Sequence, residues 1–283
     1  MLEFGMPTLI ENRSIAENIA LCHRLGLRFI ELNMNLPEYQ AAILDGDEGL
    51  VRAAADAGIY YTVHLDENLN IADFNRLVSD AYFETVFRTI RAGEKLLSLR
   101  DRFGDSSKPL TLNMHMNHGV HFTLPDRKVQ LFARHFDLYR KSFALFRERC
   151  ERWIGNSEIK IVIENTDGFP DYEEKAIEYL LESPCFGLTW DIGHSKASGE
   201  KDVPFILEHR NALCHFHLHD GTERPARDHL ALGDGEIDLR ERLRLADQLQ
   251  ARCVLETKTV SGLEKSAAYL QRLGFPVCGN LQP

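Results

Sequence analysis

The run 187-GLTWDIGHSKASG-199 decides how the chain is read. Residues 186–191 make a short uncharged stretch that ends in a carboxylate, Asp191. Three residues later comes His194, in a turn flanked by Gly193 and Gly199. A bounded apolar run of this length reads as a buried strand. Two metal-ligand residue types are therefore delivered together at its C-terminal end. Five other strand-like runs finish the same way, in His64, His115, Glu164, His217 and Glu256. Six segments ending in His, Asp or Glu predict one convergent site.

Working outward from that run, strand patterns fall at residues 2–6, 27–33, 59–64, 109–115, 159–164, 186–191, 212–219 and 252–256. Helical patterns lie between them. The first follows Ser14, with Glu17 in the capping-box position. Others run from 48 to 57, from Asn75 to Phe103, from Asp126 to Trp153, from 173 to 182, and from 203 to 209. Two more cover 239–250 and 262–273. Regular strand–helix alternation predicts α/β architecture, a (β/α)8 TIM barrel. Its 283 residues suit one such barrel, which takes about 250. No linker or low-complexity segment interrupts the pattern, so residues 1–283 read as a single domain.

Strand parity sharpens this, because side chains alternate between the two faces. Ile159, Ile161 and Ile163 share one face of their strand, and Lys160, Val162 and Glu164 share the other. Thr111, Asn113 and His115 oppose Leu110, Leu112 and Met114. His215, His217 and His219 oppose Cys214, Phe216 and Leu218; Arg252, Val254 and Glu256 oppose Cys253 and Leu255. The apolar sets are expected against the outer helices and the polar sets inside the barrel.

Composition narrows the partners. The apolar fraction is 44%, enough for a large core, and the net charge of -10 offers no general attraction for nucleic acid or anionic membranes. The loop after the second strand, 35-NLPEYQAAILDGDE-48, is acidic where phosphate contact would need Lys or Arg. No run of about 18 apolar residues is present to span a membrane. The N-terminus lacks the charged and apolar regions of a signal peptide. The six cysteines, Cys22, Cys150, Cys185, Cys214, Cys253 and Cys278, form no C-x-x-C pair. Cys185, Cys214 and Cys253 fall in strand-like runs and are expected as buried thiols, so the location expected is the cytoplasm.

The C-terminal ends of the strands are where barrels of this kind carry their active sites. Glu164, Asp191, His217 and Glu256 would meet there, and such a cluster is costly without a cation to balance it. Mixed carboxylate and imidazole donors suit Mn²⁺ or Zn²⁺, with Mg²⁺ and Co²⁺ as alternatives. Glu31 also ends a strand, but a lone strand-end glutamate is expected to cap the next helix. His118 and His219 lie near the site without an assigned role.

The motifs 161-IVIENT-166, 191-DIGH-194, 215-HFHLHD-220, 229-HLALGDGEID-238 and 254-VLET-257 together resemble the xylose-isomerase-like TIM barrel superfamily. That superfamily holds sugar and sugar-phosphate isomerases and epimerases and the endonuclease IV (AP endonuclease family 2) branch. The isomerase/epimerase branch implies one divalent ion held by Glu164, Asp191, His217 and Glu256. Glu164 and Glu256 would then also be the acid/base pair, working through an enediolate. His194 would hydrogen-bond a substrate oxygen, and the loop bearing Arg224 and Arg227 would bind a hydroxyl or phosphate. The substrate implied is a small sugar or sugar derivative, the branch commonly forms dimers or tetramers, and the same site suits a dehydratase or lyase. The endonuclease IV branch implies instead a multi-zinc phosphodiesterase acting on abasic DNA. His64, His115, Glu164, Asp191, His194, His217, His229 and Glu256 match its ligands. Where that branch has a further aspartate, this chain has Arg227, with Asp228 out of register.

Overall fold

The computed structural model describes residues 2–44, 48–102 and 108–275. The expected helix end at Phe103 and Cys278 lie outside the described residues. Eight strands form the barrel wall: β1 (Glu3–Pro7), β2 (Phe29–Asn33), β3 (Tyr60–His64) and β4 (Leu110–His115), then β5 (Ile159–Glu164), β6 (Phe186–Asp191), β7 (Leu213–Leu218) and β8 (Arg252–Leu255). They close in sequence order, with β1 paired to both β2 and β8, and every pairing in the wall is parallel. This is the expected (β/α)8 barrel.

Parity and register put the ligand types on one rim. β4 and β5 pair without a slip from Leu110↔Ile159 to His115↔Glu164, so His115 lies beside Glu164. Asp191 pairs with His217 across β6 and β7. β8 ends one residue short of Glu256, whose N–H still donates to the Leu218 carbonyl at 3.0 Å. The outward Ile159, Ile161 and Ile163 are buried under the helices. Burying one such side chain is worth about 2 kcal/mol. The inward Thr62, Thr111, Asn113, Thr189 and His215 are also fully buried, inside the wall. At the other rim Arg252, 1% exposed, donates to the Tyr60 hydroxyl at 3.0 Å and to the Lys108 and Pro109 carbonyls at 3.2 and 2.5 Å.

Four expectations need correcting. Residues 126–130 do not begin a helix: His121–Thr123 and Lys128–Gln130 form an antiparallel hairpin, and the helices are Leu131–Arg134 and Phe136–Ile154. The sequence 124-LPDR-127 turns the chain there, with the Leu124 N–H donating to the Arg127 carbonyl at 2.8 Å. The turn expected after Asp191 is a six-residue helix, Ile192–Ala197, because the Asp191 carboxylate caps it, accepting the His194 N–H at 2.7 Å. The polar loop after β7 holds a second hairpin, Asp220–Thr222 with Arg227–Leu230. Cys253 is buried, but Cys185 and Cys214 are only half-buried, Cys185 directly before the first residue of β6 and Cys214 the second residue of β7. The Ser14 cap forms as expected: its hydroxyl accepts the Glu17 N–H at 3.3 Å, and the Glu17 carboxylate takes the Arg13 N–H at 2.6 Å. Among the described residues, no helix is long and apolar enough to cross a membrane.

Candidate metal centre

β5, β6, β7 and the residue after β8 deliver Glu164, Asp191, His217 and Glu256 to one point. One ligand atom from each lies within 4.8 Å of the others, and all four residues are buried. His217 Nδ1 is the hub: it lies 2.9 Å from Glu256 Oε2, 3.1 Å from Glu164 Oε1 and 3.9 Å from Asp191 Oδ2. Yet Glu164 Oε1, His217 Nδ1 and Glu256 Oε2 are buried polar atoms without a hydrogen-bond partner. Buried donors and acceptors left this way normally cost about 1–3 kcal/mol each. Their convergence fits a cation: three carboxylates and one imidazole are hard and borderline donors of the kind Mn²⁺ and Zn²⁺ take.

The electrostatics show the same imbalance. Burial by itself would raise the Glu164 and Glu256 carboxyls, but His217, joined by His115 and His194 at Glu164 and by His229 and Lys258 at Glu256, holds both well below the usual carboxylate range. Burial would lower His217, but Glu164, Glu256 and Glu31 hold its pKa well above the ordinary value. A proton on that ring stands where a cation would otherwise balance the charge.

The structure brings the remaining predicted residues around this centre. His64 Nε2 and His115 Nε2 lie 3.4 and 3.1 Å from Glu164 Oε2, making a second potential ligand group. Against the lowering effect of burial, the Glu164 hydrogen bond together with the Glu164 and Glu31 charges lifts His64 to about 9. His194 Nδ1 is 3.3 Å from Asp191 Oδ2 and 3.6 Å from Glu164 Oε1; burial opposes, but the Asp191 charge lifts this histidine to about 10. His229 Nε2 lies 3.8 Å from Glu256 Oε1, and the His229 ring stacks on His219 at 4.2 Å. Arg224 does not join them: its side chain is exposed and lies 3.3 Å from Glu223. Arg227 is likewise exposed, on the outer hairpin. His118 stands apart, bridging Glu173 at 2.6 Å and Asp167 beside an open pocket of about 300 Å³.

Several residues at the centre had no assigned role in the sequence. Glu31 caps no helix; it lies inside the barrel and bonds His215, His217 and Thr62. Its inner parity in the middle of β2 was the available signal. His219 contacts Asp191 Oδ2 at 2.9 Å through Nε2 and accepts the His229 N–H at Nδ1. Gly193 makes room for this ring, since a Cβ there would come within 1.9 Å of His219 Nδ1. Asn113 donates to Glu164 Oε2, and Thr189 donates to Asn113 at 2.6 Å. Lys258 Nζ lies 3.0 Å from Glu256 Oε1, and nothing in its sequence context marks it.

A parallel barrel with a carboxylate–histidine centre on its C-terminal rim defines the class. The chain belongs to the xylose isomerase-like TIM barrel family, whose model matches residues 19–273. No curated protein sequence matches the chain significantly. Among solved structures it is similar to a D-tagatose 3-epimerase-like protein, at 19% identity and TM-score 0.73, covering 96% of each chain. It is also similar to the 3-keto-D-glucoside 4-epimerase of Escherichia coli (13% identity, TM-score 0.69, covering 96% of this chain and 100% of that one). A D-psicose 3-epimerase from Clostridium cellulolyticum, solved with D-tagatose, aligns at 12% identity and TM-score 0.65 over 98% and 99% of the chains. At these identities the likeness is one of fold.

Proposed function

We propose that this protein is a divalent-metal-dependent epimerase or isomerase of a sugar or sugar derivative. The observation that carries the reading is the pair Glu164 and Glu256, whose unpartnered oxygens face each other across His217 Nδ1 at 3.1 and 2.9 Å. Glu164, Asp191, His217 and Glu256 would hold the ion. When bound, it supplies positive charge that stabilises negative charge developing on the substrate's oxygens. One glutamate removes the proton from the carbon next to the carbonyl. The other returns it, to the opposite face in an epimerase or to the neighbouring carbon in an isomerase. His194, at the rim with Nδ1 3.3 Å from Asp191 Oδ2, is placed to hydrogen-bond a substrate oxygen. The epimerase names among the fold relatives agree with this reading.

The second reading is a multi-zinc phosphodiesterase, favoured by the extra group His64, His115 and Glu164. Arg227 in place of an aspartate and the acidic loop after β2 weigh against it. Elemental mass spectrometry of the purified protein separates the two. About one ion per chain, with deuterium from solvent entering a ketose on incubation, is the expected result. Two or three zinc ions per chain with cleavage of abasic DNA would replace the proposal.

A further inference from the structure

His217 has two ring nitrogens and only one faces the cluster. Nδ1 points at Glu164, Asp191 and Glu256; Nε2 points the other way, 2.8 Å from Glu31 Oε1. Glu31 comes from β2, so its carboxylate reaches β7 through the barrel interior. There its side chain is 2% exposed. Its other oxygen, Oε2, takes His215 Nε2 at 2.9 Å and the Thr62 hydroxyl at 3.0 Å. A carboxylate buried this deeply costs several kcal/mol unless fully partnered. Here three donors partner it.

A carboxylate partnered on both oxygens in this way, by the Thr62 hydroxyl, His215 Nε2 and His217 Nε2, accepts hydrogen bonds and donates none. Both imidazoles must therefore carry a proton on Nε2, and in the neutral ring of His217 the lone pair is then on Nδ1. We infer that Glu31 is a positioning residue of the metal centre: it selects the Nε2–H tautomer of His217, making Nδ1 the metal ligand and strengthening it as a donor. A carboxylate behind a metal-bound histidine acts in this way and is worth about 10–100-fold in metal affinity. The inference rests on the metal reading proposed above. Glutamine at this position keeps the shape but presents an NH₂ group to one of the two histidines. Donor then meets donor, and the ring is driven toward the tautomer whose Nδ1 cannot bind.

The test uses Co²⁺ added to the metal-free full chain, followed by its visible absorption, which reports the ligand field directly. Glu31→Gln is expected to weaken Co²⁺ binding about 10–100-fold and to shift the spectrum. Glu31→Asp, which keeps the charge, should recover part of the loss. If Glu31 only fills the barrel, Glu31→Gln melts earlier yet binds Co²⁺ as the wild type does, and the inference is overturned. Should that variant not fold, histidine-selective ¹⁵N NMR of the Zn²⁺-loaded wild type decides. His217 with its proton on Nε2 supports the inference; a proton on Nδ1 with the metal on Nε2 overturns it. A wild type that binds neither Co²⁺ nor Zn²⁺ would instead sink the metal reading, a separate failure.

Discussion

The two ends of the barrel interior bury charge by opposite means. At the N-terminal rim Arg252 is closed off within the protein: Tyr60 and the Lys108 and Pro109 carbonyls take its donors, and Glu3 Oε2 lies 3.7 Å away. At the C-terminal rim Glu164, Asp191 and Glu256 crowd one imidazole, and unpartnered atoms remain. The first arrangement is complete without a ligand and serves stability. The second carries an excess of negative charge that a cation would balance. What separates a structural charge from a functional one is whether the protein itself satisfies it.

The largest effect that would sharpen this contrast is chemical. Glu256→Gln should cut turnover by about a thousandfold, roughly 4 kcal/mol of barrier, while circular dichroism shows the barrel intact. Turnover within tenfold of wild type would remove Glu256 from the proton-transfer pair.

At the opposite rim, Arg252→Met should cost about 3 kcal/mol in denaturant unfolding, because the Tyr60 hydroxyl and the Lys108 and Pro109 carbonyls lose their donor. Its metal affinity should not move; a weaker metal site in this variant would mean that the two rims are coupled after all.

Metal should matter at one end only. Mn²⁺ or Zn²⁺ at about a hundred times its dissociation constant should add roughly 2.7 kcal/mol, read as a rise in Tm that a chelator reverses. The rise should widen with pH. His64 and His194 have folded pKa values of about 9 and 10, above the ordinary value, so their stabilisation of the metal-free protein is fully present below about 6.5. It is lost as pH climbs through those values, when the ion no longer competes with protons. A metal-induced rise that shrinks between about pH 7 and pH 9 would contradict this assignment of the charges.

The smallest effect is expected at the margin of the site. His229→Ala, 3.8 Å from Glu256 Oε1, should change turnover by less than about tenfold in an epimerase. A severe loss accompanied by loss of a second metal ion would move the protein toward the multi-zinc reading.

Much of this was legible in the chain because strand parity is a local property. Alternation in 159-IKIVIE-164 separates helix-facing from barrel-facing residues, and histidines and carboxylates recurring at strand ends mark the rim. The hairpin at 121–130 escaped the helical reading because its two strands are only three residues each, too short for a period. Glu31 was misjudged for a different reason. Read as a strand-end glutamate it had a local alternative, capping a helix, although it is the third of the five residues of β2, and nothing nearby in sequence announces His215 and His217, which lie more than 180 positions along the chain. Arg224, named for its basic side chain, lies apart from the cluster, exposed in the turn of the hairpin after β7.

The sequence by itself therefore determined the barrel, the rim on which chemistry is displayed, and the four groups that meet there, since all follow from period, order and strand ends. Only the tertiary structure decided which nitrogen of His217 faces the cluster, which carboxylate stands behind it, and which charges the protein leaves unbalanced. Those are relations across the barrel, between strands that the chain order separates, and they exist only once the wall has closed.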